Sequence, residues 1–294
     1  MTRYRIDIDA ARRRLAAREH HSIHTPYGSV QYAEQGQGPP VLFSHPLVGG
    51  FDVGLGCAES WIGDGFRVIA PSRFGYLGSS LPQDALPVDQ ADAYALLLDA
   101  LGIERAAMVG FSAGGPSVIQ FALRHPDRTS GLILLGSALP GKAGGPPKPV
   151  AQLLFTDPVF WTLKAYLPTL FLRCLGMPKG FAPTPEQRTG ILESEESLFP
   201  IRPRKQGVLY DNYVSTPDVQ GYPLEEISVP TLIINARDDG LSAFENAASA
   251  AERIPGAELL AIDHGGHLLL GSEALIRQEV ARFLAASRVG VTER

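Results

Sequence analysis

Cysteine is scarce: Cys57 and Cys174 are the only two in 294 residues. Two cysteines cannot build a disulfide framework, so a reducing compartment is permitted. Long apolar runs are also missing. The greasiest region, 150–175, is interrupted by Asp157, Pro158, Lys164 and Arg173 and falls short of the ~18 unbroken residues a membrane span needs. Basic charge is not in excess, because 26 Lys and Arg against 31 Asp and Glu leave a net charge of −5. That balance argues against a protein that coats nucleic acid, whose footprint is a basic field. No Cys/His cluster has zinc-ligand spacing, no phosphate-cradling glycine motif follows a strand, and no basic patch is interleaved with aromatics. Metal, nucleotide cofactor and nucleic acid are therefore not expected. The N-terminus is rich in arginine (Arg3, Arg5, Arg12, Arg13, Arg14, Arg18) but has no apolar core behind it, as a secretory signal would, and Asp7 and Asp9 speak against a transit peptide. Residues 1–21 read as an arm containing a solvated helix near 9–20. The expectation is a soluble cytoplasmic protein.

What is present is a globular composition, 45% hydrophobic and 19% charged, able to bury a large core. Residues 22–34 read as an antiparallel hairpin about a turn at Pro26, Tyr27 and Gly28. Apolar runs then alternate with helical patterns. The runs at 41–44, 67–70, 106–109 and 132–135 are short and continuous, as buried strands are, and the first is followed by a glycine-rich loop (Gly49, Gly50, Gly54, Gly56). Between them, residues 89–101 put Tyr94, Leu97, Leu98 and Leu101 on one helical face, with Asp89 placed to cap its start and Gly102 to end it. A second helix is predicted over 113–124, stopping before Pro126. Parallel strands covered on both faces give this alternation. Residues 138–225 differ: they hold more than half of the 24 prolines and no sustained strand pattern. Alternation resumes with a strand at 231–234, a helix at 242–254, a strand at 258–262 and a helix at 272–286. The fold class is therefore α/β: a doubly wound, mostly parallel sheet built from 22–137 and 226–294, with a mostly helical insertion at 138–225. An insertion there can cover the carboxyl ends of the strands, where open α/β sheets bind ligands.

One string stands in a chemically meaningful place. Gly110-Phe111-Ser112-Ala113-Gly114 lies between a strand ending at Val109 and a helix starting near Ala113. A tight strand-to-helix turn lifts a serine hydroxyl clear of the sheet, and glycines two positions either side leave room for it. Ser112 can alternatively be a plain N-cap of helix 113–124. As a nucleophile it needs a base. His20, His21, His24 and His125 read as surface or capping residues, whereas His45, His264 and His267 lie near strand ends. His267 is preferred because Gly265 and Gly266 let its loop bend toward Ser112; His264 is the alternative. The base in turn needs an acid to fix its tautomer. After strand 231–234, Asp238 and Asp239 are both placed for this; Asp239 is preferred, with Asp238 binding backbone amides in the turn. Cys57 has no such turn around it and reads as a packing residue.

The order Ser112, Asp239, His267 resembles that of the α/β-hydrolase fold superfamily, and the resemblance extends over about residues 22–288. It implies that the insertion is a cap. It also implies an oxyanion loop at Phe43-Ser44-His45-Pro46-Leu47, where proline stands in place of the family's glycine. Pro46 has no N–H, so the oxyanion donors expected are the amides of Leu47 and of Ala113, and His45 is structural. In Ala70-Pro71-Ser72-Arg73-Phe74-Gly75-Tyr76, Ser72 occupies a place where the family often has aspartate. The reading that follows is a serine hydrolase cleaving a carboxylic ester or related acyl substrate without a cofactor. Phe155, Phe160, Trp161 and Phe171 of the insertion suggest an apolar acyl or aryl pocket for a small-molecule substrate, or else pack the cap onto the core. The same three residues serve C–C bond hydrolases and haloperoxidase-like perhydrolases in the family, so both remain alternatives. A non-catalytic ligand-binding protein on this fold is a further one. Oligomeric state is left open.

Overall fold

The computed structural model describes residues 2–141, 145–184, 187, 191 and 196–289. Eight strands form one sheet: β1 (His21–Thr25), β2 (Gly28–Gln35), β3 (Pro40–Ser44), β4 (Arg67–Pro71), β5 (Ala106–Phe111), β6 (Thr129–Leu135), β7 (Thr231–Ala236) and β8 (Glu258–Ile262). Their spatial order is β1-β2-β4-β3-β5-β6-β7-β8; β1 and β2 run antiparallel to their neighbours, and β4 through β8 in that order are parallel.

Side-chain alternation along these strands builds two cores. Leu42, Ile69, Met108, Leu132, Leu134 and Ile233 face one side, under α3 (Pro87–Ala100), α4 (Gly115–Arg124) and α9 (Phe244–Arg253). Val41, Phe43, Val109, Ile133, Leu135 and Ile234 face the other, under α2 (Phe51–Trp61) and α10 (Glu273–Val289). Both faces are covered, so the central strands β3, β5, β6 and β7 are largely apolar on both sides, whereas β1 at the sheet edge is mostly exposed. The chain reverses its winding beside β3, the topological switch point of such sheets, and the ends of β3 and β5 meet there.

Three elements depart from the sequence expectation. Residues 51–61 form helix α2 where glycines suggested a loop, because Phe51, Leu55, Ala58 and Trp61 bury one face against the sheet. Helix α3 begins at Pro87, because proline presets the first helical φ. Asp89 thus sits inside the first turn, and its carboxylate accepts the Leu86 N–H at 2.8 Å. The N-terminal helix α1 (Arg3–Ala17) starts earlier than expected and is not solvated all round: Ile8 and Ala11 are buried. Its Asp7 accepts the Trp161 indole N–H at 3.0 Å, and Tyr4 meets the Trp161 ring edge-on.

Between β6 and β7 the described residues hold helices and turns but no strand: α5 (Lys148–Leu154), α6 (Asp157–Tyr166), α7 (Pro168–Cys174) and α8 (Lys205–Tyr210), the last running into a π-helical turn over Asp211–Ser215. Two buried ion pairs tie this segment to the sheet loops. Arg73, after β4, makes a bidentate pair with Asp211 at 2.5 and 2.6 Å. Arg204, just before α8, pairs with Asp52 of α2 at 3.0 and 2.6 Å. The partners thus exchange sides, with one arginine on each segment.

Candidate active site

The site is built at the carboxyl ends of β5, β7 and β8. Strand β5 ends at Phe111, a short 3-10 turn covers Ser112–Gly114, and α4 follows. Ser112 sits at φ +52°, a left-handed conformation that costs an L-residue about 1–2 kcal/mol. Surrounding contacts hold it there. The Ser112 carbonyl accepts the Ala138 N–H at 2.9 Å, and the Ser137 hydroxyl donates to the Gly110 carbonyl at 2.7 Å. The two flanking glycines are required for space. A Cβ at 110 would lie 2.6 Å from the Val118 side chain, and one at 114 would be driven into the Ser44 carbonyl.

His267 links the serine to a carboxylate. Its Nε2 is 2.8 Å from Ser112 Oγ, and its Nδ1 is 2.9 Å from Asp239 Oδ2. The Asp239 carboxylate can only accept, so Nδ1 carries the proton and Nε2 is free to accept from the serine hydroxyl. Asp239 Oδ1 also accepts the N–H groups of Leu241 and Ser242 at 2.8 and 2.9 Å. The Asp239 side chain is fully enclosed, that of His267 is 5% exposed, and the Phe111 ring stacks on the imidazole at 5.3 Å. Asp238 does a different job: its carboxylate accepts the Gly266 N–H at 2.9 Å and the Gly265 N–H at 3.4 Å, pinning the loop that carries His267. His264 points outward, with its side chain 90% exposed. From the insertion, the Gly176 carbonyl accepts both the His267 and the Gly240 N–H, at 3.2 and 3.0 Å.

The loop after β3 lies beside the Ser112 turn, with the Gly114 backbone packed against the Ser44 and His45 carbonyls. That places Leu47 and Ala113 on two adjoining loops. His45 is fully buried with both nitrogens engaged: Nε2 accepts the Arg73 backbone N–H at 3.0 Å, and Nδ1–H donates to the Pro46 carbonyl at 2.8 Å. Burial, and next the Arg73 charge, hold its pKa well below the usual imidazole value. His45 is therefore neutral and spoken for, and has no nitrogen left to act as a base. Since the unfolded chain titrates normally near 6.5 and the folded one lower, stability is complete above that pH and falls as the pH drops below it. Unfolding free energy should decline by up to about 1.4 kcal/mol per pH unit on this account. Denaturant titrations of the wild type and His45→Gln between pH 7.5 and 5 check it, and equal slopes in the two proteins would remove His45 as the cause.

Ser72 is buried, and its hydroxyl accepts the Phe51 N–H at the start of α2, a supporting role for the loops. The thiol of Cys57 is pushed up to about 12, by burial first and then by the Asp52 charge, so it stays protonated. A cleft between α1 and the sheet loops, lined by Arg12, His20, Phe51 and Arg202 among others, includes none of the three linked residues.

The aromatic pocket suggested by sequence takes a different form. Phe155, Phe160, Trp161 and Phe171 are each at most 9% exposed and share one interior cluster with Ile8, Phe199 and Val208. Phe160 packs on Phe155, Phe171 and Phe199 at 5.0–6.0 Å between ring centroids. They hold the insertion and α1 together, and the packing role is the one we retain. Sequence reasoning singled out neither Arg73, Tyr76 and Asp211 nor Arg204 and Asp52. Isolated charges in loop-like segments look solvated, and only the pairings across the chain reveal them as buried.

Residues 39–274 match the family described as alpha/beta hydrolase fold, and the chain belongs to that family. It is a hydrolase enzyme with an eight-stranded, mostly parallel sheet. Among its relatives, an uncharacterized hydrolase of Bacillus subtilis is 32% identical over 84% of this chain and 91% of its own. A 2-hydroxymuconate semialdehyde hydrolase of Pseudomonas putida is 31% identical over 80% of this chain and 82% of its own. Of solved structures, an alpha/beta hydrolase fold protein from Nakamurella multipartita is 27% identical over 91% of this chain and 99% of its own, with a TM-score of 0.71.

Proposed function

We propose that the protein is a serine hydrolase that cleaves a carboxylic ester or related acyl substrate through an acyl-enzyme on Ser112. The observation that carries this reading is the continuous hydrogen-bond chain from Ser112 Oγ through His267 to the enclosed carboxylate of Asp239. Ser112 Oγ attacks the carbonyl carbon while His267 Nε2 takes its proton. Asp239 holds Nδ1–H and stabilises the imidazolium that forms. The carbonyl oxygen becomes an oxyanion, received by the amides of Leu47 and Ala113. His267 then returns the proton to the departing alcohol, and a water activated by the same imidazole hydrolyses the acyl-enzyme. His267 has to be neutral for the first step, because only a free lone pair on Nε2 can take the serine proton. Residues 138–225 act as a cap over this centre, and the Gly176 carbonyl on the His267 and Gly240 amides supports that placement.

A second reading is C–C bond hydrolysis on the same three residues, favoured by relatives such as the 2-hydroxy-6-oxo-6-phenylhexa-2,4-dienoate hydrolase of Burkholderia cepacia, 27% identical. A dienoate carries a carboxylate that needs a cation. Here the two buried arginines beside the oxyanion loop are already matched by Asp211 and Asp52. A dienoate carboxylate would therefore have to be met by a cation other than these two. The test pairs p-nitrophenyl butyrate hydrolysis with loss of a dienoate chromophore, and adds fluorophosphonate labelling read by peptide mass. We expect ester turnover and a label on Ser112. Dienoate cleavage without ester turnover would hand the function to the second reading, and neither turnover nor label would sink both.

A further inference from the structure

We propose that Arg73 and Asp211 are positioning residues for the oxyanion loop, so that the insertion sets the aim of the Leu47 amide. The inference rests on the reading of Leu47 as an oxyanion donor. It starts from the peptide unit between Pro46 and Leu47, whose bond is trans. In a planar trans unit the C=O and the N–H point in opposite directions, so whatever grips the Pro46 oxygen aims the Leu47 N–H away from it. Three donors reach that oxygen: His45 Nδ1–H at 2.8 Å, the Gly49 N–H at 3.1 Å and Arg73 Nη2 at 3.4 Å. Arg73 also fixes the preceding unit, donating from Nε to the His45 carbonyl at 3.0 Å, and its backbone N–H orients the His45 ring.

The loop needs such a grip. Val48, immediately after Leu47, sits at φ +61°, where a β-branched residue is strained, so the loop would relax if released. The guanidinium that holds it is itself held. Asp211 takes both Nη atoms in a fork, which fixes the plane and rotation of the group. The same carboxylate accepts the Tyr76 hydroxyl at 2.5 Å, while the Tyr76 ring meets the His45 imidazole edge-on at 4.6 Å between centroids. Asp211 opens the π-helical turn after α8, and such turns are frequent at functional sites. Arg204, also from the insertion, donates to the Gly49 carbonyl at the far end of the loop at 2.6 Å. The oxyanion loop is thus clamped at both ends, and the carboxylate that aims the nearer clamp comes from the insertion.

The experiment compares an aryl trifluoromethyl ketone, which forms an oxyanion adduct with the serine, with the matching secondary alcohol, which cannot. In Asp211→Asn the ketone-to-alcohol affinity ratio should fall by about 10²-fold, the loss expected for a misaimed group. Alcohol affinity and KM should stay nearly unchanged. Tyr76→Phe keeps the ring and the Arg73–Asp211 fork but removes one donor to Asp211, and should lower the ratio several-fold. A merely structural role would lower Tm and weaken both ligands alike. A wild-type ratio in a folded Asp211→Asn overturns the proposal, and so does a wild-type ratio in Tyr76→Phe when Asp211→Asn does not fold. A wild-type enzyme that shows no preference for the ketone would instead overturn the Ser112 reading beneath it.

Discussion

Ser112→Ala is expected to lower kcat for p-nitrophenyl butyrate by about 10⁴- to 10⁶-fold, the range seen when a serine nucleophile is removed from such a relay. The fold should survive. Alanine meets the same left-handed backbone at position 112, and the substitution removes the 2.8 Å hydrogen bond between the serine hydroxyl and His267. Far-UV circular dichroism and Tm within a few degrees of the wild type therefore belong to the prediction. Residual activity should be that of bound substrate facing the oxyanion donors alone. Steady-state kinetics of the two proteins prepared side by side decide the matter. A loss of less than tenfold would mean that another group attacks the ester.

The second large effect separates the two neighbouring aspartates. Asp239→Asn should cost about 10⁴ in kcat. Its cause can be read from the amides around it. Leu241 and Ser242 both donate to Oδ1, so an asparagine must place its oxygen there and turn its NH2 toward His267 Nδ1. The imidazole then has to accept at Nδ1 and carry its proton on Nε2, where it can no longer take one from Ser112. Asp238→Asn should cost about tenfold at most, because it weakens one hydrogen bond to the Gly265–Gly266 loop and leaves the tautomer alone. Measuring kcat for both variants checks the assignment, and a reversal of the two magnitudes would exchange the roles of Asp238 and Asp239.

The sheet was legible because its signals are local. Short apolar runs, proline stops and the helical spacing of Tyr94, Leu97 and Leu98 each act within a few residues, and the strands and helices fall where those signals put them, except α2, whose Gly54 and Gly56 hid it as a loop. The meeting of Ser112, Asp239 and His267 was legible for a related reason: each lies within five residues of a strand's carboxyl end, so the strand order brings them to one end of the sheet. The start of α3 was read two residues late because proline outranks an acidic side chain in starting a helix, and Asp89 caps that start from its third position. Helix α1 read as solvated because its partner, Trp161, lies 154 residues away in the chain. The aromatics of the insertion looked like a pocket because composition cannot tell a lining from an interior; packing against Phe199 and Ile8 makes them an interior.

The exchanged arginine–aspartate pairs bear on modularity. Arg73 and Asp211 lie 138 residues apart in the chain, and Arg204 and Asp52 lie 152 apart. Each pair is half sheet-loop and half insertion, so neither piece is electrically complete alone. Transplanting an insertion without these partners from another hydrolase would strand Arg73 and Asp52 as buried, unmatched charges. Breaking a buried pair costs about 3–5 kcal/mol, and two such losses rival the roughly 5–15 kcal/mol that holds a typical domain folded. Swapping specificity in this enzyme therefore means moving four residues as a set, two of them outside the segment being swapped.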